Sequence, residues 1–144
     1  MYTPARRGAT RNQGGYIERA KRLVQLRNAM TDDFTTAINV LRSDREMTIE
    51  QLAEKATLSE RTIQRMCKGG ARRESLDNVL RLCFALRLEP ELSEKLLANA
   101  GTPLLNTPED MVYRMLLRDH YDWPLEDINE ILLSEGMYPL LKLA

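Results

Sequence analysis

The most restrictive feature of this sequence is a pair of short amphipathic patterns that are separated by only three residues. The first, "MTIEQLAEKA" (47–56), carries Thr48 and Gln51 at the spacing of a capping box, in which each side chain bonds the backbone N–H of the other residue. The second, "ERTIQRMCK" (60–68), follows "TLS", whose Ser59 is a preferred N-cap residue. Two short helices joined this closely indicate a helix-turn-helix unit.

The apolar residues of these two helices lie on faces that can pack against each other. Leu52, Ala53 and Ala56 form the inner face of the first helix, and Ala53 is small enough to let the second helix approach closely. Ile63, Met66 and Cys67 share the inward face of the second helix. Its polar residues are therefore left on the outer side, where they can contact another molecule.

The remainder of the chain also has helical spacing, without strand alternation, so the predicted fold class is all-α. Residues 1–15 lack apolar periodicity and are expected to form a disordered basic arm. An amphipathic N-terminal helix is predicted over 16–30 and a helix-turn-helix domain over 31–101. An acidic helical extension is predicted over 102–144.

Local signals predict how several of these helices begin and end. Ser75 and Thr107 are candidate N-caps, while Gly69, Gly101 and Gly136 stand where helices should stop. The helix over 16–30 is expected to bury a single apolar face, formed by Ile17, Ala20, Leu23 and Val24. The next helix, about 32–43, is expected to be capped by Thr31, with Asp32 and Asp33 in its first turn.

Charge is distributed unevenly along a chain whose net charge is zero. Residues 1–30 hold seven Lys or Arg against one Glu, and residues 61–74 hold five against one. Residues 101–144 hold three against eight acidic residues. A phosphate-binding surface needs a local positive patch rather than a positive total. The distribution is therefore compatible with nucleic-acid binding at the basic segments.

Composition argues against several other classes of protein. The apolar runs are far shorter than the ~20 residues that a membrane helix needs. Cys67 and Cys83 lie within helical apolar patterns, which is typical of reduced thiols in a cytoplasmic protein. A single His120 and two distant cysteines do not make a four-ligand zinc site. We expect a cytoplasmic protein without a metal or other cofactor, and we see no paired catalytic groups that would indicate an enzyme.

The segment "MTIEQLAEKATLSERTIQRMCKGGARRESLDNVLRLCFALRLEPE" resembles the Cro- and phage-repressor-like (XRE-type) helix-turn-helix family. The family pattern is a Thr-Gln-x-x-Leu-Ala helix, a turn, a Ser- or Thr-capped second helix, a glycine-containing loop and a Ser-Leu-x-x-Leu helix. The matching positions are Thr48, Leu52, Ala53, Ser59, Ile63, Gly69, Ser75 and Leu76. The resemblance extends roughly from Phe34 to Ala98 and implies a five-helix bundle that binds operator DNA, usually as a dimer.

The resemblance also implies roles for individual residues, because the second helix of such a unit (59–68) enters the major groove of double-stranded DNA. The residues expected to contact bases are Ser59, Glu60, Arg61, Gln64 and Arg65. The residues expected to contact phosphates are Thr48, Gln51, Thr62, Lys68, Arg72 and Arg73. Arg61 is the first candidate for base contact, since arginine can bond two acceptors of one guanine. The implied function is transcriptional regulation by a repressor-like homodimer.

Three positions depart from the family pattern. Ile49 replaces a glutamine that commonly lies near a phosphate, and Thr57 replaces the turn glycine. Glu60 stands where a polar base-contacting residue is common; glutamate can accept a hydrogen bond from cytosine, but it repels phosphate. The alternative function is therefore a protein–protein interaction module, antitoxin-like or a phage or mobile-element accessory protein. In that case the C-terminal helices would bind a protein partner and the helix-turn-helix would be a scaffold.

Overall fold

The computed structural model describes residues 15–69 and 73–141, and all regular structure within these ranges is helical. The predicted all-α class is confirmed. The predicted disordered arm, apart from Gly15, lies outside the described residues, as does Arg72. The helices of the described ranges are α1 (Tyr16–Met30), α2 (Phe34–Asp44), α3 (Ile49–Ala56), α4 (Glu60–Lys68), α5 (Leu76–Ala85), α6 (Pro90–Asn99), α7 (Pro108–Asp119) and α8 (Leu125–Ser134).

Side-chain hydrogen bonds fix the first residue of five of these helices, including α2, which Asp33 caps. Gln51 N donates to Thr48 Oγ1 at 3.1 Å and Thr48 N donates to Gln51 Oε1 at 2.9 Å, so the predicted capping box at the start of α3 is present. Ser59, Ser75 and Thr107 each accept a bond from the backbone N–H three residues ahead. These caps begin α4, α5 and α7.

The five helices α2 to α6 form the helix-turn-helix bundle, and the other three pack on it. In the bundle α3 contacts α4 and α5, while α2 contacts α4 and α6. α1 lies on α2 and α6, α7 lies on α6, and α8 lies on α5. Every helix contributes buried side chains to one hydrophobic core. The N-terminal helix and the C-terminal extension are therefore part of the same packed body as the bundle.

The predicted inner face of α1 is wrong. The helix instead buries Leu26 and Met30, with Leu23 packed against the core from a partly buried position. The short connection to α2 turns the side that carries Leu26 and Met30 toward α2 and α6, although apolar residues occur on a second side as well. The predicted residues that remain exposed are Ile17, Ala20 and Val24.

The predicted cap of α2 is also wrong, by two residues. Thr31 has a φ of 53° and ends α1, which is incompatible with the extended backbone that an N-cap requires. Asp33 caps the helix instead: its Oδ2 accepts bonds from Thr36 N and from Thr36 Oγ1, both at 2.8 Å. These bonds hold the pKa of the Asp33 carboxyl below its usual value.

Arg81 connects the segment after α8 to the turn between α3 and α4. The Arg81 Nε donates to Leu140 O at 2.9 Å, its Nη2 donates to the same oxygen, and its Nη1 donates to Thr57 O at 2.9 Å. Beside this, Asn129 Oδ1 accepts a bond from Leu141 N at 2.9 Å. One arginine thus ties the C-terminal segment to the helix-turn-helix turn.

We predict that Arg81→Ala lowers the free energy of unfolding by about 2 kcal/mol, because Thr57 O and Leu140 O both lose a charged donor. Urea unfolding followed by circular dichroism measures this value. Arg118→Ala is the matched control, because Arg118 is exposed and pairs with the adjacent Asp119. It should leave the free energy of unfolding nearly unchanged. Equal losses for the two variants would show that Arg81 is not a structural tie.

Candidate nucleic-acid interface

The turn between α3 and α4 adopts a tight left-handed geometry at Thr57, which has φ 55° and ψ 43°. Leu58 N donates to Ala53 O at 3.0 Å and Thr57 N donates to Glu54 O at 3.2 Å, the pairing of a Schellman motif. A left-handed conformation costs a non-glycine residue roughly 1–2 kcal/mol. Thr57 therefore adopts a left-handed conformation that a glycine would take without strain.

Helix α4 is fixed against α2 near its C-terminal end. The Thr35 hydroxyl donates to Met66 O at 3.2 Å, and Asn39 Nδ2 donates to Cys67 O at 2.9 Å. These two donors satisfy carbonyls that have no partner within the helix itself. Ile63 and the Met66 side chain are buried beneath them. The outer face of α4 is therefore presented from a well-supported position.

An open depression follows this outer face of α4. Arg61, Gln64 and Lys68 are exposed along it, and they offer hydrogen-bond donors to an approaching molecule. Six of the eleven residues predicted to contact DNA are brought together here. The lining residues are Ser59, Arg61, Thr62, Gln64, Arg65 and Lys68.

Four of the predicted DNA-contacting residues also form helix caps. Ser59 Oγ donates to Thr62 Oγ1 at 2.8 Å and accepts from Thr62 N at 3.1 Å. Thr48 and Gln51, both exposed, bond each other at the start of α3. The Gln51 cap uses its side-chain oxygen, so the amide nitrogen remains a donor for a phosphate. DNA contacts by these four residues stay predictions.

Arg65 forms a two-point ion pair with Glu74. Its Nη1 donates to Glu74 Oε2 at 2.6 Å and its Nη2 donates to Glu74 Oε1 at 3.0 Å. The Glu74 side chain is only 5% exposed, whereas the Arg65 side chain is 35% exposed. Hydrogen bonding to Glu74 raises the pKa of Arg65 above its ordinary value. The pair joins the last turn of α4 to the residue that precedes the Ser75 cap of α5.

Glu60 and Arg73 occupy surroundings that differ from those of the depression. Glu60 is exposed in the first turn of α4, where its negative charge is favourable to the helix dipole. The exposed Arg73 lies beside the connection to α7: a Cβ placed on Gly101 would come within 3.2 Å of Arg73 Nε. The Arg73 side chain would thus have to leave this connection in order to contact a phosphate.

Sequence reasoning missed the roles of Glu74, Thr35 and Asn39. Nothing in the pattern around Glu74 distinguishes it from a solvated charge, because its partner Arg65 lies nine residues earlier on a different segment. Thr35 and Asn39 lie four residues apart and so share a helix side, which could have indicated a polar contact between α2 and another element.

Two other kinds of function find no support in the described part of the chain. Between residues 15–69 and 73–141 there is no cluster of His, Cys, Asp or Glu side chains that could hold a metal ion. None of the helices in these ranges combines the length and apolar content needed to cross a membrane.

Comparison with known proteins identifies one part of the chain. Residues 37–91 match the family model of the Cro/C1-type HTH DNA-binding domain, which confirms the resemblance seen in the sequence. The matched segment begins in α2, contains α3, the turn and α4, and ends in α6; α1, α7 and α8 lie outside it. No curated protein and no solved structure matches the chain.

Proposed function

We propose that the Cro/C1-type helix-turn-helix domain of residues 37–91 binds double-stranded DNA in a sequence-specific manner, and that the protein regulates transcription in the cytoplasm. The observation that carries this proposal is the outer face of α4, on which exposed Arg61, Gln64 and Lys68 line one open depression. A helix of this kind fits the major groove of B-DNA, where base edges present distinct donors and acceptors.

The supporting residues divide into two groups by their position on the unit. Arg61 and Gln64 project from the outer face of α4 and suit base edges. Lys68, at the end of α4, suits a phosphate, as do the Gln51 amide and the N–H groups at the start of α3, because a helix N-terminus attracts anions. Glu60 suits an amino group of cytosine.

We predict that the affinity for the best duplex, selected from a random pool, falls steeply with salt concentration. If about six phosphates are neutralised, the logarithm of the association constant should fall with a slope of about −5 against the logarithm of salt concentration. Fluorescence anisotropy measured at salt concentrations from about 50 to about 200 mM gives the slope. Failure of every duplex to bind at the lowest salt would contradict DNA binding and favour the protein-interaction alternative.

We predict that Arg61→Ala and Lys68→Ala differ in the kind of affinity they lose. Arg61→Ala should weaken specific binding by about 1–3 kcal/mol with a smaller effect on non-specific binding, because a base contact is lost. Lys68→Ala, the matched control, should weaken both alike and reduce the salt slope by about 1, because a phosphate contact is lost. If Arg61→Ala lowered the specific and the non-specific affinity equally, Arg61 would be a contact to the DNA backbone and not to a base.

The proposed homodimer is supported by the second apolar side of α1. Tyr16, Ile17 and Val24 are 82%, 65% and 57% exposed, and the small Ala20 lies between them on the same side of the helix. An antiparallel pair of α1 helices centred on Ala20 places Val24 opposite Tyr16 of the second copy, so the surface is complementary to itself. One helix pair buries less than the roughly 1,200 Å² of a standard interface, so we propose a weak dimer that DNA half-sites strengthen.

We predict that Val24→Glu shifts the protein toward the monomer in sedimentation velocity runs at high protein concentration, because it places a charge within the apolar contact. Met115→Glu is the matched control, since Met115 is 46% exposed on a different helix, α7. It should leave the sedimentation coefficient unchanged. A wild-type protein that stays monomeric both free and on DNA would contradict the dimer.

A further inference from the structure

The buried carboxylate of Glu74 is placed to do more than neutralise the charge of Arg65. It is the least exposed acidic side chain in the described part of the chain, at 5%. Its two oxygens are each bonded by a different terminal nitrogen of Arg65, at 2.6 and 3.0 Å. A buried carboxylate is strongly disfavoured without its cationic partner. Arg65 is therefore held to Glu74 and is not a freely moving surface arginine.

The ion pair with Glu74 leaves one edge of the Arg65 guanidinium available for another hydrogen-bond acceptor. An arginine has five N–H donors in a rigid plane, and a pairing through Nη1 and Nη2 uses the end of that plane. Within residues 15–69 and 73–141, Arg65 Nε has no hydrogen-bond partner. The side chain is 35% exposed and lines the same depression as Arg61 and Gln64. The Nε and Nη2 edge can therefore bond two acceptors, as the edge of a guanine or a phosphate presents them.

The geometry points to Glu74 as a positioning residue for DNA recognition: it fixes the Arg65 guanidinium plane so that its Nε edge meets the nucleic acid from the depression on α4. This inference rests on the proposed DNA binding. It adds to that proposal a residue with a negative charge, which electrostatics alone would count against binding. A fixed guanidinium loses less conformational freedom on binding than a mobile one.

The test compares Glu74→Gln with Asp77→Asn, a matched removal of one negative charge from the exposed side of α5. Dissociation constants are measured on the duplex selected by the wild-type protein and on a scrambled duplex, at one salt concentration. Glu74→Gln should weaken specific binding roughly tenfold, because Arg65 loses its fixed orientation. It should leave non-specific binding unchanged or slightly tighter, because a charge that repels phosphate is gone. Asp77→Asn should leave the ratio of the two constants unchanged.

Two further variants keep the test independent of folding. Glu74→Asp retains the charge but withdraws it by one methylene, and Arg65→Lys retains the charge without the planar fork; both should lower the specificity ratio. In the double variant with Glu74→Gln, Arg65→Lys should add little further loss, because the two residues act as one unit. All constants are taken at a temperature where circular dichroism shows each variant to be folded.

Each alternative role of Glu74 predicts a different combination of specific and non-specific affinities. Specific and non-specific binding that fall together in Glu74→Gln would make the pair a structural tie and overturn the inference. Binding that tightens equally on both duplexes would make Glu74 a simple repulsive charge and overturn it as well. If the wild-type protein binds no duplex, it is the proposed function that fails. A wild type that binds, with a specificity ratio that Glu74→Gln does not change, removes only the role of Glu74.

Discussion

The left-handed backbone of Thr57 is the constraint on which the candidate interface depends. It reverses the chain after α3 and brings Ser59 into the extended conformation that caps α4. The strain at Thr57 is offset by the two backbone bonds of its Schellman motif and by the bond from Arg81 to Thr57 O. The position of the depression on α4 relative to α3 therefore depends on the turn at this one residue.

The same Arg81 makes the turn sensitive to the C-terminal part of the chain. It bonds Leu140 O as well as Thr57 O, so movement of the segment after α8 would withdraw support from the turn. The Cro/C1-type match ends at residue 91, but the hydrophobic core continues into α7 and α8. The boundary of sequence similarity is therefore not a boundary of packing. A variant cut at residue 91 would lose most of α6 and would expose the apolar side chains of α2 and α5 that pack against it.

Most helix starts were predictable from the sequence, with the cap of α2 as the exception, whereas several helix ends were not. A capping oxygen at Thr48, Ser59 or Ser75 is a local signal, so α3, α4 and α5 begin where the sequence indicates. Gly101 and Gly136 likewise mark the ends of α6 and α8. The left-handed residues that end α2, α3 and α5 are not glycines and gave no such signal; they are Glu46, Thr57 and Arg87. Each precedes an apolar residue that packs on the core, so tertiary burial overrides the local preference.

The candidate site shows the same division between local and long-range information. Periodicity on one helix was sufficient to place Arg61 and Gln64 on the outer face of α4. The pairing of Arg65 with Glu74 joins residues nine positions apart, and periodicity on one helix does not predict such a contact. Because of this pairing, the acidic residues at this surface differ in their effect on an approaching anion. The charge of Glu60 is exposed in the first turn of α4, whereas the charge of Glu74 is buried and neutralised by an arginine of α4. Net charge therefore says little about DNA binding here, because the acidic residues differ in whether phosphate can encounter them.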